Sequence, residues 1–395
     1  MNALPFIPKD EFKGRQLKIQ AMMEKYDIDI LFFYGDDKAV FGANHSRWLL
    51  DYAPHFEPIC IGIPRNGDIH VATGAESEAF FLNYSKNGKV HVVNEFNMPE
   101  EEYPYTKPIN FLTYLKVLSD EVGKSTLRVG IVGESQFPNW LYKLINVENF
   151  QIINTQLIEN EYRDIRASKT PTEMEVIRYA FKIAEEGFKA GYSALKEGVS
   201  ERDVAAEIEY KMRKMGSEGN GIDTIVGFGK KNTYPILTRT TFNTLKNGDL
   251  ALLTIAPRFE GYHGVIARPV CFGSISNEIK SAIQASIEAS NACCDALKVG
   301  ATGKDVAKSG LRVLDKHNLL HLCVYSGIHS VGLSEFEPPI LTSYSEFRIP
   351  ENFVVSIDVP LFFTDWGGLR VETGYLVTNE GIESLTSIPL SLIEK

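Results

Sequence analysis

The C-terminal half of the chain contains a histidine and three carboxylates in or beside strand-like segments. They are His329, Glu337, Asp358 and Glu372. A histidine among carboxylates can act as a general acid or base, because the neighbouring charges tune its pKa. One imidazole with two carboxylates is also a reasonable ligand set for a single divalent cation. Either chemistry requires the strands to bring these side chains into one cleft.

The cysteines indicate no metal site and no disulfide framework. Their number, five, is odd and no Cys-x-x-Cys pair occurs, which disfavours both a disulfide scaffold and a zinc ribbon. We predict that all five are buried free thiols, namely Cys60, Cys271, Cys293, Cys294 and Cys323.

Length and charge narrow the class of protein. The chain has 395 residues, enough for two or three domains, and its 44% hydrophobic and 23% charged residues are typical of a globular protein. A net charge of -10 without a basic patch disfavours nucleic-acid binding. No apolar run is long enough to span a membrane, and residues 1–12 lack a signal-peptide core. These features predict a cytoplasmic protein with no nucleic-acid or membrane partner.

The N-terminal part alternates helical and strand-like segments. We expect a helix, a buried strand, a second helix and a second buried strand over 14–26, 30–34, 111–122 and 127–132. Between them, segments 60–63 and 69–72 flank Asn66-Gly67, which is a strong hairpin signal because both residues tolerate positive φ. The pattern predicts an α/β domain.

The C-terminal part opens with a helix start and contains an internal repeat. Thr170 can cap a helix whose first turn holds Pro171 and Glu173. Segments 194–205 and 296–307 are identical at seven of twelve positions. In each, a helix ends at a glycine and a Ser or Thr caps the next helix. A single repeat at this distance predicts two similar halves that face each other across a cleft.

Several stretches in the C-terminal part match one known family in order and spacing. They are 165–170, 224–227, 245–250, Gly261-Tyr262, His329-Ser330-Val331-Gly332-Leu333, Glu337-Pro338-Pro339 and Gly368-Leu369-Arg370-Val371-Glu372. Together they resemble the pita-bread family of methionine aminopeptidases, Xaa-Pro aminopeptidases, prolidases and creatinases. The resemblance implies an α+β fold, with a creatinase-like N-terminal α/β domain over 1–163 and an internally duplicated pita-bread catalytic domain over 164–395.

The resemblance also locates the metal-ligand positions. Peptidases of the family hold two divalent metals with two Asp, one His and two Glu. In this chain the corresponding residues are Thr254, Val265, His329, Asp358 and Glu372. Valine cannot ligate and a neutral hydroxyl is a poor ligand, so the resemblance implies no two-metal centre. We predict that no metal is bound. The alternative is a single ion on His329, Asp358 and Glu372.

Two further family positions have lost a histidine. Family peptidases carry one shortly after a Gly-x-Asn-x-x-Pro segment and another seven residues after the metal-binding His. Here Ile236 and Leu237 occupy the first region and Phe336 the second, which predicts a more apolar pocket. Creatinase, a member that hydrolyses a C–N bond without metal, uses a histidine in the first region, so this chain departs from creatinase as well.

The resemblance implies a catalytic group of His329, Asp358, Glu372 and Glu337. His329 would handle the proton, while Asp358 and Glu372 orient it. The alternative is that His329 and Glu372 are relics of a lost site that hold each other by hydrogen bonds.

Four residues near this group are candidates for substrate binding: Thr254, Phe336, Arg239 and His263. Arg239 could hold a carboxylate through two parallel hydrogen bonds, or be an exposed loop arginine. His263 could face the substrate or simply be exposed at its turn.

A polar and aromatic segment, 44–55, lies in the N-terminal part. Related dimeric enzymes bring this region of one subunit to the active site of the other. Arg47 and His55 could therefore contact an anionic substrate across a homodimer. The alternative is a strand-connecting loop with Trp48 in the core.

These inferences predict a creatinase-like, metal-independent hydrolase that cleaves a C–N bond in a small polar amide, amidine or amino-acid derivative. One alternative is an Xaa-Pro dipeptidase or aminopeptidase with an altered or mononuclear metal centre. Another is a catalytically inactive pita-bread binding protein. The predicted cofactor is none, with a single divalent ion as the alternative.

Overall fold

The computed structural model describes residues 4–38 and 41–395. Residues 7–166 form one compact unit, and residues 167–395 form most of a second. The division of function between domains 1–163 and 164–395 stays a prediction. None of the described helices is both long enough and apolar enough to cross a bilayer.

The N-terminal unit is a six-stranded mixed sheet with helices. Its helices are α1 (Lys9–Lys25), α2 (Asn44–Leu50), α3 (Ser77–Tyr84), α4 (Phe111–Val122), α5 (Asn139–Ile145) and α6 (Gln156–Ala167). Its strands are β1 (Ile30–Gly35), β2 (Ile59–Pro64), β3 (His70–Thr73), β4 (Lys89–Val92), β5 (Leu127–Val132) and β6 (Phe150–Ile152). The strand order is β4-β3-β2-β1-β5-β6, with β1 parallel to β5 and antiparallel to β2.

The predicted elements of this unit are confirmed, with two corrections. β2 and β3 pair as an antiparallel hairpin, and Gly67 has the positive φ, 116°, that its turn requires. α1 begins at Lys9, five residues earlier than the predicted Gly14, and this additional segment includes Phe12, which is buried in the core. Asn44 to Leu50 is a helix and not a loop, although Trp48 is in the core as expected.

The C-terminal unit combines paired helices with a large sheet. Its helices are α7 (Pro171–Ala194), α8 (Glu201–Lys214), α9 (Gly229–Thr233), α10 (Asn277–Ala296) and α11 (Gly303–Lys316). Its strands are β7 (Gly219–Asn220), β8 (Ile225–Phe228), β9 (Leu250–Ile255), β10 (Pro257–Phe259), β11 (Tyr262–His263), β12 (Ile266–Cys271), β13 (Ile328–Ser330), β14 (Glu337–Ile340), β15 (Phe353–Thr364), β16 (Gly367–Thr378), β17 (Gly381–Ser384) and β18 (Ile393–Glu394). The path through the nine-stranded sheet is β14-β13-β15-β16-β12-β9-β8, with β17 paired to β16 and β18 to β12.

The internal repeat corresponds to two helix pairs, α7–α8 and α10–α11. At the start of the second helix in each pair, Ser200 and Thr302 accept the backbone N–H of the residue three positions on. The preceding glycines, Gly198 and Gly300, have φ of 80° and 81°. The chain therefore builds the same helix–turn–helix unit twice, as the sequence predicts.

The cysteines are all free, but they are not all buried as predicted. Cys60, Cys271 and Cys293 are buried, whereas Cys294 and Cys323 are half-buried. Cys294 is on α10 beside Cys293, and neighbouring helix positions face different directions, so the two thiols cannot share one environment.

Candidate active site

One row of cross-strand neighbours sets the floor of the candidate site. Thr254 of β9 pairs with Ala267 of β12, Ala267 with Glu372 of β16, and Glu372 with Asp358 of β15. Directly paired residues of antiparallel strands project their side chains to the same face of the sheet. The register therefore places Thr254, Glu372 and Asp358 on one face, and all three are buried.

His329 reaches the same face from β13. It pairs with Ser356, which lies two residues before Asp358 on β15 and therefore faces the same way. Nε2 of His329 lies 3.6 Å from Oε1 of Glu372, and the hydroxyl of Ser356 donates to that same oxygen at 2.8 Å. Only 2% of His329 is exposed. The structure thus places His329, Glu372 and Asp358 on one face of the sheet, with His329 next to Glu372.

Glu335 is the site residue that sequence reasoning missed. Its Oε1 lies 3.9 Å from Nε2 of His329, and it is buried. One potential ligand atom from each of His329, Glu335 and Glu372 lies within 4.8 Å of the other two. A signal existed, since Glu335 is an acidic residue in the short stretch between His329 and Glu337, but its position corresponds to no family ligand.

Asp358 has a different set of contacts. Tyr325, also missed from the sequence, donates its hydroxyl hydrogen to Oδ2 of Asp358. Oδ1 of Asp358 is buried and makes no hydrogen bond within the described part of the chain. Buried Arg370, two residues before Glu372 on β16, donates to the carbonyl of Ile236 at 2.9 Å and holds that loop beside the site.

The four ionisable groups shift one another's pKa values. Burial alone would lower the pKa of His329, but the attraction of Glu372 and Glu335 raises it to about 9. Burial raises the pKa of Glu335 to about 7. Burial also raises the pKa of Asp358 to about 7, although the positive charge of Arg370 acts to lower it. Burial would also raise the pKa of Glu372, but His329 and Arg370 hold it below its ordinary value.

These shifts predict a pH-dependent stability. Because His329 has a folded-state pKa of about 9 against an ordinary 6.5, its stabilisation is complete below pH 6.5 and is lost as the pH rises to about 9. The loss for this group amounts to at most about 3 kcal/mol. Urea unfolding in chelator-treated buffer between pH 6 and 9 should show this decline, and His329→Gln should flatten it. Equal slopes for both proteins would contradict the assignment.

The comparisons with known proteins identify the family. The sequence profile of metallopeptidase family M24 matches residues 175–379. The chain belongs to this family. Over 304 residues it is 27% identical to the Xaa-Pro dipeptidase of Pyrococcus furiosus, covering 75% of this chain and 85% of that one. Over 339 residues it is 26% identical to the Xaa-Pro dipeptidase of Pyrococcus horikoshii, and this match covers 84% of this chain and 93% of that one.

Solved structures agree on the fold. The X-Pro aminopeptidase from Thermotoga maritima superposes with a TM-score of 0.81 at 21% identity, covering 96% of this chain and 99% of that one. The prolidase from Pyrococcus horikoshii OT3 superposes with a TM-score of 0.80 at 22% sequence identity. The match covers 96% of this chain and 100% of that one. The predicted fold, a pita-bread domain after an N-terminal α/β domain, is confirmed. The M24 assignment likewise confirms a hydrolase that acts on a C–N bond.

M24 peptidases normally use divalent metal ions, and the donors of this chain fit one ion but not two. Thr254 and Val265, which are predicted to stand at the two Asp positions of the family, are both fully buried. Val265 has no donor atom, so this prediction implies that a bridging carboxylate is absent. The remaining donors His329, Glu335 and Glu372 offer one nitrogen and carboxylate oxygens, which suit a single divalent cation. The structure groups Glu335, rather than Asp358, with His329 and Glu372.

Glu337, predicted to be catalytic, lies next to a different partner. Its Oε1 accepts from Nζ of Lys169 at 3.1 Å, and both residues are buried. A Cβ atom added to Gly332 would lie only 2.3 Å from the same Oε1 atom of Glu337, so the two residues are in close contact. Glu337 therefore supports the turn that carries Glu335, and a direct catalytic role for it stays a prediction.

The candidate substrate-binding residues lie in contrasting environments. Phe336 packs on His329 with ring centroids 4.3 Å apart, yet 41% of Phe336 is exposed. Arg239 is exposed on the loop between α9 and β9. His263 is not exposed, contrary to one expectation: it is 1% exposed, its Nδ1 faces the carbonyl of Gly332 at 3.1 Å, and burial lowers its pKa to about 4.

Arg47 and His55 belong to the N-terminal unit. Arg47 on α2 forms an ion pair with Asp51 at 3.3 Å. The His55 side chain is 84% exposed, with Nδ1 3.8 Å from Asp37. Their predicted contact with substrate across a homodimer stays a prediction.

Proposed function

We propose that this M24 protein hydrolyses the C–N bond of a small peptide or amino-acid derivative, and that Xaa-Pro dipeptides are the substrates to test first. The observation that carries the proposal is the buried group of His329, Glu335 and Glu372 beside Asp358. The similarity to the Xaa-Pro dipeptidases of two Pyrococcus species supports the choice of substrate class.

The side chains of the site can supply the proton transfers of amide hydrolysis. Cleavage requires a base for the attacking water and an acid for the leaving nitrogen. Asp358, with a pKa that burial raises to about 7, can hold and release a proton near neutral pH. Tyr325 orients Asp358 through its hydrogen bond. A divalent ion held by His329, Glu335 and Glu372 would polarise the scissile carbonyl and acidify a bound water.

The walls of the site favour a small apolar group next to the scissile bond. Phe336 closes one side of His329 and remains partly accessible. Ile236 lies on the neighbouring loop, held there by Arg370. An apolar ring such as that of proline is compatible with these surfaces.

Metal-independent hydrolysis is a second candidate. The loss of donors at Thr254 and Val265 and the raised pKa of His329 support it, because a protonated imidazole between two carboxylates could donate a proton without a cation.

Assays of the purified full chain test both candidates. Gly-Pro, Leu-Pro and Met-Pro are offered with Leu-Ala as the non-proline control, each with Mn²⁺ and again with a chelator. We expect proline release that the chelator abolishes. Equal rates in the chelator would support the metal-independent candidate. The proposed substrate class would be contradicted if none of the three Xaa-Pro dipeptides were cleaved, or if Leu-Ala were cleaved faster than all of them.

A further inference from the structure

The two distances from His329 to the carboxylates of the buried group suit one cation. Two donor atoms that each lie about 2.0–2.2 Å from the same ion are at most about 4.4 Å apart. Nε2 of His329 lies 3.6 Å from Glu372 and 3.9 Å from Glu335, within that limit. We infer that the chain binds a single divalent cation between His329, Glu335 and Glu372. Glu335, at a position that is not a family ligand, takes over the work of the missing Asp residues.

Two unsatisfied atoms on the same sheet face support a bound polar species. Oγ1 of Thr254 and Oδ1 of Asp358 are buried and lack hydrogen-bond partners among residues 4–38 and 41–395. In the cross-strand row they lie on opposite sides of Glu372. Buried polar atoms are normally paired with protein or ordered water. Waters coordinated to a cation would satisfy both atoms.

The charge of the buried site also favours a cation. Glu335, Asp358 and Glu372 are buried carboxylates, and Arg370 supplies one permanent positive charge beside them. Buried carboxylates are costly unless they are paired or coordinate a metal. A divalent cation with neutral His329 as a ligand would balance the remaining charge.

One site, and not two, follows from the donors present. A second ion would need the bridging carboxylate whose position is occupied by Val265, and the hydroxyl of Thr254 is a weak substitute. With one imidazole nitrogen and two carboxylates, the site suits Mn²⁺, and Zn²⁺ is a second ion that such ligands accept.

Metal binding by the full chain tests this inference. Protein is stripped with a chelator and desalted, then titrated with Mn²⁺ or Zn²⁺ by calorimetry, and bound metal is counted by elemental analysis. We expect about one equivalent per chain. Glu335→Gln should weaken binding at least about tenfold. Asp358→Asn, which removes a carboxylate that is not in the ligand group, is the matched control and should weaken binding less.

The outcomes separate the ligand sets. Two equivalents, or none, for the unsubstituted protein would overturn the inference. A larger loss of affinity with Asp358→Asn than with Glu335→Gln would overturn the role of Glu335. If Glu335→Gln does not fold, Glu335→Asp replaces it, and the unsubstituted stoichiometry still decides the number of ions. The inference deepens the proposed function, but the titration uses no substrate, so either can fail without the other.

Discussion

Replacing His329 with glutamine should lower kcat/KM for the cleaved dipeptide at least about 10³-fold, or about 4 kcal/mol of transition-state stabilisation. His329 contacts both Glu372 and Glu335, so its loss removes a proton carrier or a metal ligand, whichever candidate function holds. Steady-state kinetics with the best substrate of the dipeptide series measures the effect.

A second histidine substitution separates chemistry from general damage. His317 at the end of α11 is a matched control, because it is 42% exposed and pairs with Glu288 on the surface. His317→Gln should keep the original rate. A melting temperature of His329→Gln near that of the unsubstituted protein would exclude unfolding as the cause. A rate for His329→Gln within a few-fold of the original would rule out His329 as a catalytic residue.

Replacing Lys169 with methionine should destabilise the C-terminal unit by about 3–5 kcal/mol. Lys169 and Glu337 are both buried and lie 3.1 Å apart, so the substitution leaves the Glu337 carboxylate without this cation in a low-dielectric environment. Urea unfolding followed by fluorescence and circular dichroism measures the change. Both signals are needed because a chain of two compact units need not unfold in one step.

Two controls accompany this prediction. Lys304→Met removes a half-exposed lysine from its ion pair with Glu346 at 2.6 Å, and it should cost less than about 1 kcal/mol. Lys169→Met combined with Glu337→Gln should recover part of the lost stability, because no uncompensated charge is left. A loss for Lys169→Met as small as that for Lys304→Met would contradict the importance of the buried pair.

Local chemistry explains which elements were predictable. The capping box of α7 at Thr170 and Glu173, and the caps at Ser200 and Thr302, depend on residues within one helical turn. The β2–β3 hairpin depends on its own turn residues. Interactions between residues that are close in the sequence can be read from the local sequence alone. These elements could therefore be recognised before the fold was known.

The errors share a physical cause. Segment 44–50 contains polar residues typical of a loop, but packing of Trp48 and Leu49 into the core makes it a helix. His263 follows a turn that would usually be exposed, yet its ring is buried against the backbone of Gly332. In both cases contacts between residues distant in sequence outweighed the local preference.

The sequence by itself indicated the family, which the match over residues 175–379 confirms, and it determined the internal duplication. It also fixed the chemistry of Thr254 and Val265, a poor ligand and a residue that cannot ligate, because side-chain chemistry is a property of the residue. Only the tertiary structure decided which carboxylates meet His329. The register of β13, β15 and β16 brings Glu372 to it, and the turn after β13 brings Glu335. Distances between side chains on separate strands depend on strand pairing, which no local stretch of sequence specifies.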